Sequence, residues 1–432
     1  MIINFSVQNF GSIKDTQTLS FEADKSTHLE DTYVANVGKL RILKLALIYG
    51  ANASGKTTIL KALNFLRALV LEPALKKTDE LDFNPFLFDP ESPAQHSKIA
   101  IEFVHNSIKY AYEVEFVRKA IVAEVLNFYN PNKANIYKRK TNLPNQFTEI
   151  SFGNKISSTT AFEKHLEANT LWNNTVLGGF LKTNINFKEL QEVVDWFKDH
   201  LKPLIDTRTL LEEFVTLKIS ENEILKSEIV PILKKADFNI SDIIIEENEE
   251  KIPDGLMEFL NRQAIKQNDT FKELDENGKF KSVKIEFEHT VNNRKYTLPL
   301  ACESEGTRRY YGFSGLLSIL IGRTAIFSID ELENSLHPDL YLHFLLSFLL
   351  NAKSSQIIAT THHRELLDNK DIFRNDAIWF TQKQESCSTE LYSLADFDSA
   401  VVRNTTNILN AYKSGKLSGT PNLSDPFIDV KL

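Results

Sequence analysis

The chain contains few cysteines: only Cys302 and Cys387 occur among its 432 residues. Two cysteines are too few for a disulfide framework, and neither lies in a cluster with metal-ligand spacing. A disulfide-stabilised secreted domain and a cysteine-based metal module are therefore excluded. We expect a protein of the reducing cytoplasm.

Long apolar runs and an excess of basic charge are also missing. The most apolar stretch, 311–329, is interrupted by Arg323 and by glycines, so it predicts a buried helix, a turn and a core strand rather than a membrane span. The first ten residues, MIINFSVQNF, lack the charged and apolar regions of a signal peptide. A formal net charge of -8 argues against a protein that coats nucleic acid indiscriminately, although 138–140 is a local basic patch.

The spacing of apolar residues predicts an α/β protein. Alternation over 1–24 and 99–129 predicts antiparallel strands, and 43–49 is a predicted buried strand followed by a helix. Helical spacing over 156–240 predicts a helical insertion. Later strands and helices alternate, which implies a parallel sheet with helices on its faces. We therefore predict an N-terminal lobe, a helical insertion and a C-terminal lobe, with the bounds 1–155, 156–240 and 241–432.

One segment matches the P-loop pattern in full. It is GANASGKTT at 50–58, between a predicted strand and a predicted helix. Gly50 and Gly55 let the backbone curl so that N–H groups point at phosphate oxygens, and the following helix adds the positive end of its dipole. Lys56 supplies a charge for the β- and γ-phosphates, and the Thr57 hydroxyl ligates Mg²⁺. The predicted nucleotide-binding residues are Gly50, Asn52, Ala53, Ser54, Gly55, Lys56, Thr57 and Thr58.

A second segment, AIFSIDE at 325–331, is an apolar strand that ends in two adjacent carboxylates. Because side chains alternate along a strand, Asp330 and Glu331 cannot have the same role. We expect Asp330 to reach Mg²⁺ and Glu331 to orient and deprotonate the attacking water. Alone this pattern is common, but together with the P-loop it predicts ATP hydrolysis.

Further blocks of sequence accompany these two motifs. They are FSVQNFGSIKDTQTLSFEA, ESEGT, IDELENSLHPDL, TTHHRELLD, IWFTQKQ, TELYSLADF and AYKSGKLSGTPNL. In this order, and over nearly the whole chain, they resemble ABC-type ATPases of the SMC/RecF/OLD group. Within that group the chain resembles the ATPase subunits of abortive-infection and restriction-linked phage-defence operons (AbiLii-like and RloA-like proteins).

The resemblance implies an ABC-type ATPase head: a mixed sheet with flanking helices, an antiparallel N-terminal part and a helical insertion. It implies that His362 is the switch histidine that contacts the γ-phosphate, whereas a lone histidine is otherwise more often structural. It also implies that ESEGT is the signature loop, in which Ser304, Gly306 and Thr307 contact ATP bound to a second copy. An ordinary helix cap at Ser304 is the alternative. The expected assembly is a head-to-tail homodimer.

The sequence departs from the family pattern at two positions. Gly11 stands where the family usually has arginine, and His363 stands where aspartate is common. The glutamine loop of ABC-type enzymes has no clear counterpart. It should lie within 84–95, where Gln95 is the candidate.

Two functions are compatible with this chemistry. The favoured one is a regulatory ATPase of a bacterial anti-phage system, whose ATP-driven dimer controls a separate effector protein. The alternative is a DNA-repair ATPase of the RecF or SMC type that binds DNA in an ATP-dependent way. Long SMC coiled coils are excluded because the insertion is short and lacks sustained heptads, so this alternative is a RecF-like clamp.

Three other ATP- or GTP-dependent classes fit poorly. An OLD-type nuclease needs a metal-binding domain, and the segment after His362 is too short to hold one. A transporter ATPase would have a Leu-Ser-Gly-Gly-Gln signature and a smaller insertion. A GTPase would have an Asn-Lys-x-Asp motif, which is absent from a suitable place in the sequence.

Overall fold

The protein is described by a computed structural model, which covers 1–236, 238–251, 279–369, 371–397, 407–417 and 419–420. Parts of the closing block AYKSGKLSGTPNL lie outside these described residues. The described chain divides into two compact units, assembled from segments that are not continuous in sequence. The first unit comprises Met1–Arg208, Arg323–Asn334 and the chain from Phe348 onward, and the second comprises Thr209–Gly322 and Ser335–Ser347. The predicted α/β class is confirmed, while the three predicted lobes stay a prediction.

Strands are numbered in chain order. Their bounds are β1 Ile2–Gln8, β2 Gln17–Ser20, β3 Val34–Val37, β4 Leu40–Leu43, β5 Leu45–Gly50, β6 Ser97–His105, β7 Ile108–Val117, β8 Ala120–Tyr129, β9 Lys133–Asn142, β10 Phe147–Phe152, β11 Ile240–Lys251, β12 Lys279–Val291, β13 Arg294–Pro299, β14 Ile326–Ile329, β15 Gln356–Thr360, β16 Ile378–Lys383 and β17 Thr389–Ser393. The α-helices described are Glu30–Tyr33, Lys56–Leu71, Thr160–Asn169, Val176–Phe180, Lys188–Asp195, Leu211–Ser220, Lys226–Lys235, Glu305–Gly322, Pro338–Asn351 and Ile408–Lys413.

An antiparallel sheet of the first unit has the strand order β10-β9-β8-β7-β6-β1-β2. Buried and more exposed residues alternate along its strands, as expected when one face of a sheet covers a core. Because of this alternation, the three residues of the predicted basic patch at 138–140 do not share one exposed surface. Arg139 points into the core, where its guanidinium lies 3.6 Å from the Glu124 carboxylate, and only Lys138 and Lys140 are exposed.

The second sheet of the first unit has the order β14-β15-β5-β16-β17 and is mixed. Its first four strands are parallel to one another, and β17 is antiparallel to β16. Every residue of β5, β14 and β15 is buried, which is typical of parallel strands covered on both faces. Because β5, β14 and β15 run in the same direction, the residues that follow them meet at one edge of the sheet.

The segment 201–205 adds a further stretch of parallel pairing beside β14. Leu201 pairs with Ile326 and Ile205 pairs with Ile329. The sequence predicts helical spacing as far as Leu201, and the structure has a helix over Lys188–Asp195 and a π-helical turn over Trp196–His200. The chain is extended after this turn because Pro203 lacks the N–H that a continuing helix would use.

The second unit packs helices closely around Glu305–Gly322. A Cβ atom on Gly312 would lie 2.4 Å from the Leu211 side chain, and one on Gly315 would lie 2.2 Å from the Val215 side chain. Glycine is therefore required on this face so that the two helices can approach. None of the helices described combines the length and apolar character that a bilayer crossing needs.

Candidate functional site

The P-loop (50–58) follows β5 and leads directly into the helix Lys56–Leu71. Gly55 has φ +102°, and a Cβ atom there would lie 2.0 Å from the Thr389 hydroxyl. Both the backbone conformation and the available space therefore require glycine at this position. A Cβ atom on Gly50 would lie 2.3 Å from the Thr381 hydroxyl. Asn52 and Ala53 are exposed at the tip of the loop.

Hydroxyl groups from the strand pair β16–β17 support the P-loop. The hydroxyls of Ser54 and Thr381 lie 2.6 Å apart, and Thr389 donates to the Ser54 carbonyl at 2.9 Å. The Ser12 hydroxyl lies 2.7 Å from the Thr389 hydroxyl and 3.0 Å from the Thr58 hydroxyl. The sequence reasoning missed Thr381 and Thr389 as loop-supporting residues, although both lie in blocks that carry the family resemblance.

The Lys56 side chain is buried and folds back onto the first residues of the P-loop. Its ammonium donates to the carbonyls of Gly50 at 2.9 Å and Ala51 at 3.1 Å. Burial lowers the pKa of Lys56, and the nearby charges of Asp330 and Glu331 oppose that shift. The cation is therefore held inside the loop by backbone oxygens, beside two carboxylates.

The Thr57 hydroxyl lies against the Asp330 carboxylate. It is 3.0 Å from each of the two carboxylate oxygens, and the Asp330 side chain is buried. A hydroxyl and a carboxylate in contact are ligands that Mg²⁺ accepts together with water and phosphate oxygens. No group of three or more His, Cys, Asp or Glu side chains in the described part of the chain could hold a metal. Thr57 and Asp330 therefore fit two positions in the coordination shell of such an ion.

Glu331 and His362 lie next to each other at the same sheet edge. The Glu331 carboxylate lies 3.9 Å from His362 Nε2, and both side chains are partly exposed, at 46% and 37%. Burial, followed by the charge of Lys56, lowers the pKa of His362, so the neutral ring is favoured. The His362 backbone N–H donates to the Glu333 carboxylate, a contact that the sequence reasoning missed.

The predicted signature loop, ESEGT, belongs to the second unit, where it leads into the helix Glu305–Gly322. Ser304 caps this helix, because its hydroxyl accepts from the Thr307 N–H at 3.1 Å and lies 2.7 Å from the Thr307 hydroxyl. The Ser335 hydroxyl donates to the Glu305 carboxylate at 2.6 Å, and a Cβ atom on Gly306 would lie 3.2 Å from the Ser335 carbonyl. Ser335 therefore contacts the start of this helix within the same unit.

The family departure at Gly11 has a steric explanation. Gly11 has φ +57°, and a Cβ atom there would lie 2.8 Å from the Thr58 side chain. Its N–H donates to the Asn84 carbonyl at 2.7 Å. Both residues line a cleft of about 680 Å³ that runs along the P-loop helix.

Gln95, the candidate for the glutamine loop, is exposed, and its backbone carbonyl accepts from the Asn9 side chain at 3.2 Å.

A family described as "AAA domain, putative AbiEii toxin, Type IV TA system" matches residues 45–368. No curated protein matches the chain. The chain is similar to the crystal structure of the SmcHead bound to the C-winged helix domain of ScpA. The identity is 12%, the match covers 91% of this chain and 97% of that chain, and the TM-score is 0.42. It is also similar to the SMC head domain from Thermotoga maritima, with 11% identity, coverage of 91% and 98%, and a TM-score of 0.41. Since the family match covers most of its length, the chain belongs to this family of AAA domains.

Proposed function

We propose that this protein is an ABC-type ATPase that binds ATP with Mg²⁺ and hydrolyses it. The observation that carries the proposal is the contact between the Thr57 hydroxyl and both oxygens of Asp330, at the end of a P-loop. A structural turn needs neither a lysine held inside the loop nor a carboxylate against the following threonine. Membership of an AAA-domain family supports the same function.

Each residue then has a distinct role in the reaction. Lys56 and the P-loop N–H groups bind the β- and γ-phosphates, and Thr57 and Asp330 would hold Mg²⁺, which would neutralise phosphate charge when bound. Glu331 accepts the proton of the attacking water at a carboxylate oxygen. His362, neutral and beside Glu331, orients the γ-phosphate. The cleft beside Thr58 adjoins the P-loop and is the proposed space for the nucleoside.

Lys56→Ala tests the nucleotide site itself. Loss of a hydrogen bond to a charged group weakens ATP binding by about 1.5–3 kcal/mol, roughly 10- to 100-fold in Kd. Titration of a fluorescent ATP analogue with Mg²⁺ present measures this change. Lys133→Ala, which removes an exposed lysine from β9, is the matched control and should bind as the wild type does. Equal affinity of Lys56→Ala and wild type would rule out this assignment of the loop.

The proposed active form is a head-to-tail homodimer. Ser304, Gly306 and Thr307 lie at the start of an 18-residue helix, where N–H groups and the positive end of the helix dipole favour an anion. Ser304 and Glu305 are exposed, so this helix end is accessible to another molecule. In the proposed dimer, it contacts the phosphates of ATP bound to the P-loop of the partner copy.

The proposed biological role is a regulatory ATPase of a bacterial anti-phage system that controls a separate effector. Two observations support it: the family description names a toxin of a type IV toxin–antitoxin system, and the sequence blocks resemble AbiLii-like and RloA-like ATPase subunits. An ATP-dependent dimer is well suited to this role, because a partner can be bound in one nucleotide state and released in the other.

Deletion of neighbouring genes tests the separate effector. Phage protection conferred by the intact locus should fall to the level of an empty vector when a neighbouring effector gene is removed, although the ATPase is still produced. Plaque counts measure the protection, and a deletion of an unrelated flanking gene is the control. Full protection by this chain alone would contradict the proposal.

A further inference from the structure

Thr360 makes contacts that no motif predicts. It is the last residue of β15 and is fully buried. Its hydroxyl donates to Asp330 Oδ1 at 2.5 Å and accepts from the Glu331 N–H at 2.8 Å. Its carbonyl accepts from the Leu332 N–H at 3.1 Å. One residue of the neighbouring strand therefore bonds three consecutive residues that follow β14.

The sheet register explains why this residue is in reach. Ile329 pairs with Ala359 across the parallel strands, so Thr360 is level with Asp330 where β14 ends. On the side away from Thr360, the backbone N–H of Asp330 donates to the Ile205 carbonyl at 2.8 Å. Asp330 is thus fixed from both sides: the segment 201–205 holds its backbone, and Thr360 holds its carboxylate.

The two hydrogen bonds of the Thr360 hydroxyl have different consequences. The bond to Asp330 Oδ1 sets the rotamer of a carboxylate whose two oxygens both face the Thr57 hydroxyl. The bond from the Glu331 N–H supports a backbone with φ +49°, a left-handed conformation that non-glycine residues disfavour. The direction of the Glu331 side chain depends on that backbone.

We propose that Thr360 is a positioning residue of the ATPase site, whose single hydroxyl sets the metal-binding carboxylate of Asp330 and the catalytic carboxylate of Glu331 together. This inference rests on the proposed ATPase function. Thr360 itself touches neither substrate nor metal, and it acts only through the two acids. Its removal should therefore change both the Mg²⁺ requirement and the turnover rate, whereas loss of a merely structural hydroxyl should change stability alone.

Thr360→Val, which keeps the shape of the side chain and removes both hydrogen bonds, is the central test. We expect kcat to fall roughly 10- to 100-fold and the Mg²⁺ concentration for half-maximal activity to rise about tenfold, the usual range for groups that orient metal ligands. Thr360→Ser retains the hydroxyl and should match the wild type on both measures, because both hydrogen bonds can still form. Nucleotide binding without Mg²⁺ should be the same in all three proteins.

A buried threonine in the other sheet provides the matched control. Thr141 donates to the Ile121 carbonyl at 2.6 Å, so Thr141→Val removes a buried hydroxyl without approaching the acids. It should lower the thermal unfolding midpoint and leave kcat and the Mg²⁺ requirement unchanged. Should Thr360→Val not fold, Thr360→Ala paired with Thr360→Ser makes the same comparison.

The outcomes distinguish this inference from the proposed function. If Thr360→Val has the wild-type kcat and Mg²⁺ requirement, or if Thr360→Ser is as impaired as Thr360→Val, the positioning role is wrong although the ATPase stands. If the wild type shows no ATP turnover, the proposed function fails. The affinity for a non-hydrolysable ATP analogue, measured as a function of Mg²⁺, still tests the coupling between Thr360 and Asp330.

Discussion

Replacing Glu331 with glutamine is expected to abolish ATP turnover while preserving ATP binding. Glutamine has the shape of glutamate but cannot accept the proton of the attacking water, and loss of a general base typically costs 10²- to 10⁴-fold in rate. The contact between Thr57 and Asp330 should be unchanged, because the Glu331 side chain has no role in it. Phosphate release under saturating ATP and Mg²⁺ measures the loss.

The same variant should accumulate the ATP-bound dimer. If hydrolysis is what reopens the dimer, a protein that binds ATP without hydrolysing it stays closed, and light scattering should report twice the monomer mass with ATP but not with ADP. Glu149→Gln, which neutralises an exposed carboxylate on β10, should turn over ATP as the wild type does. Wild-type turnover by Glu331→Gln would refute the assignment of the base.

Local motifs of the site were predictable because each one combines a chemical pattern with its own secondary structure. The P-loop is recognisable from GANASGKTT between a strand and a helix, and Asp330 and Glu331 from an apolar strand that ends in acids. Parallel strands bring both motifs to one sheet edge, so their proximity follows from the fold class. In the structure, Lys56 and Thr57 begin the P-loop helix, and the Thr57 hydroxyl contacts Asp330.

The supporting hydroxyls were not predictable, since nothing in their local sequence distinguishes them. Thr360, Thr381 and Thr389 lie on or at the ends of strands, where threonine is an ordinary residue. Only the register between β14 and β15 brings Thr360 level with Asp330. Register depends on pairing between distant parts of the chain, and the period of apolar residues along a single strand does not specify it.

The pairing of the segment 201–205 was also not predictable from the sequence. Apolar spacing up to Leu201 predicts helix, and the helix Lys188–Asp195 and the π-helical turn after it agree with that pattern. The extended pairing of 201–205 with β14 depends on Pro203 and on a strand more than a hundred residues later in the chain. Periodicity reports which face of an element is buried, but not which strand it meets.

A mixture of two inactive variants is expected to recover ATPase activity if the dimer is head to tail. Lys56→Ala removes the P-loop cation, and Ser304→Arg places a bulky cation where the signature loop would meet the phosphates of the partner copy. Each variant alone forms dimers in which both composite sites are defective. In a mixed dimer, one site carries both defects, and the other combines an intact P-loop with an intact signature loop.

The expected recovery follows from random pairing. An equal mixture yields mixed dimers as half of the population, with one working site of two in each, so activity should rise to about a quarter of wild type if the sites act independently. Lys56→Ala mixed with a Lys56→Ala/Ser304→Arg double variant contains no intact P-loop and should stay inactive. Thermal unfolding checks that Ser304→Arg, which also removes the helix cap, remains folded.

A failure to recover activity would have a specific meaning, provided that both variants are folded and exchange subunits. If ATP were enclosed by a single copy, Ser304→Arg would damage the site of its own chain or none at all. In the first case the mixture would show only the sum of two inactive proteins, and in the second Ser304→Arg would be active by itself. Either result would contradict a site completed by the partner, because only sharing of residues between copies allows two different defects to compensate.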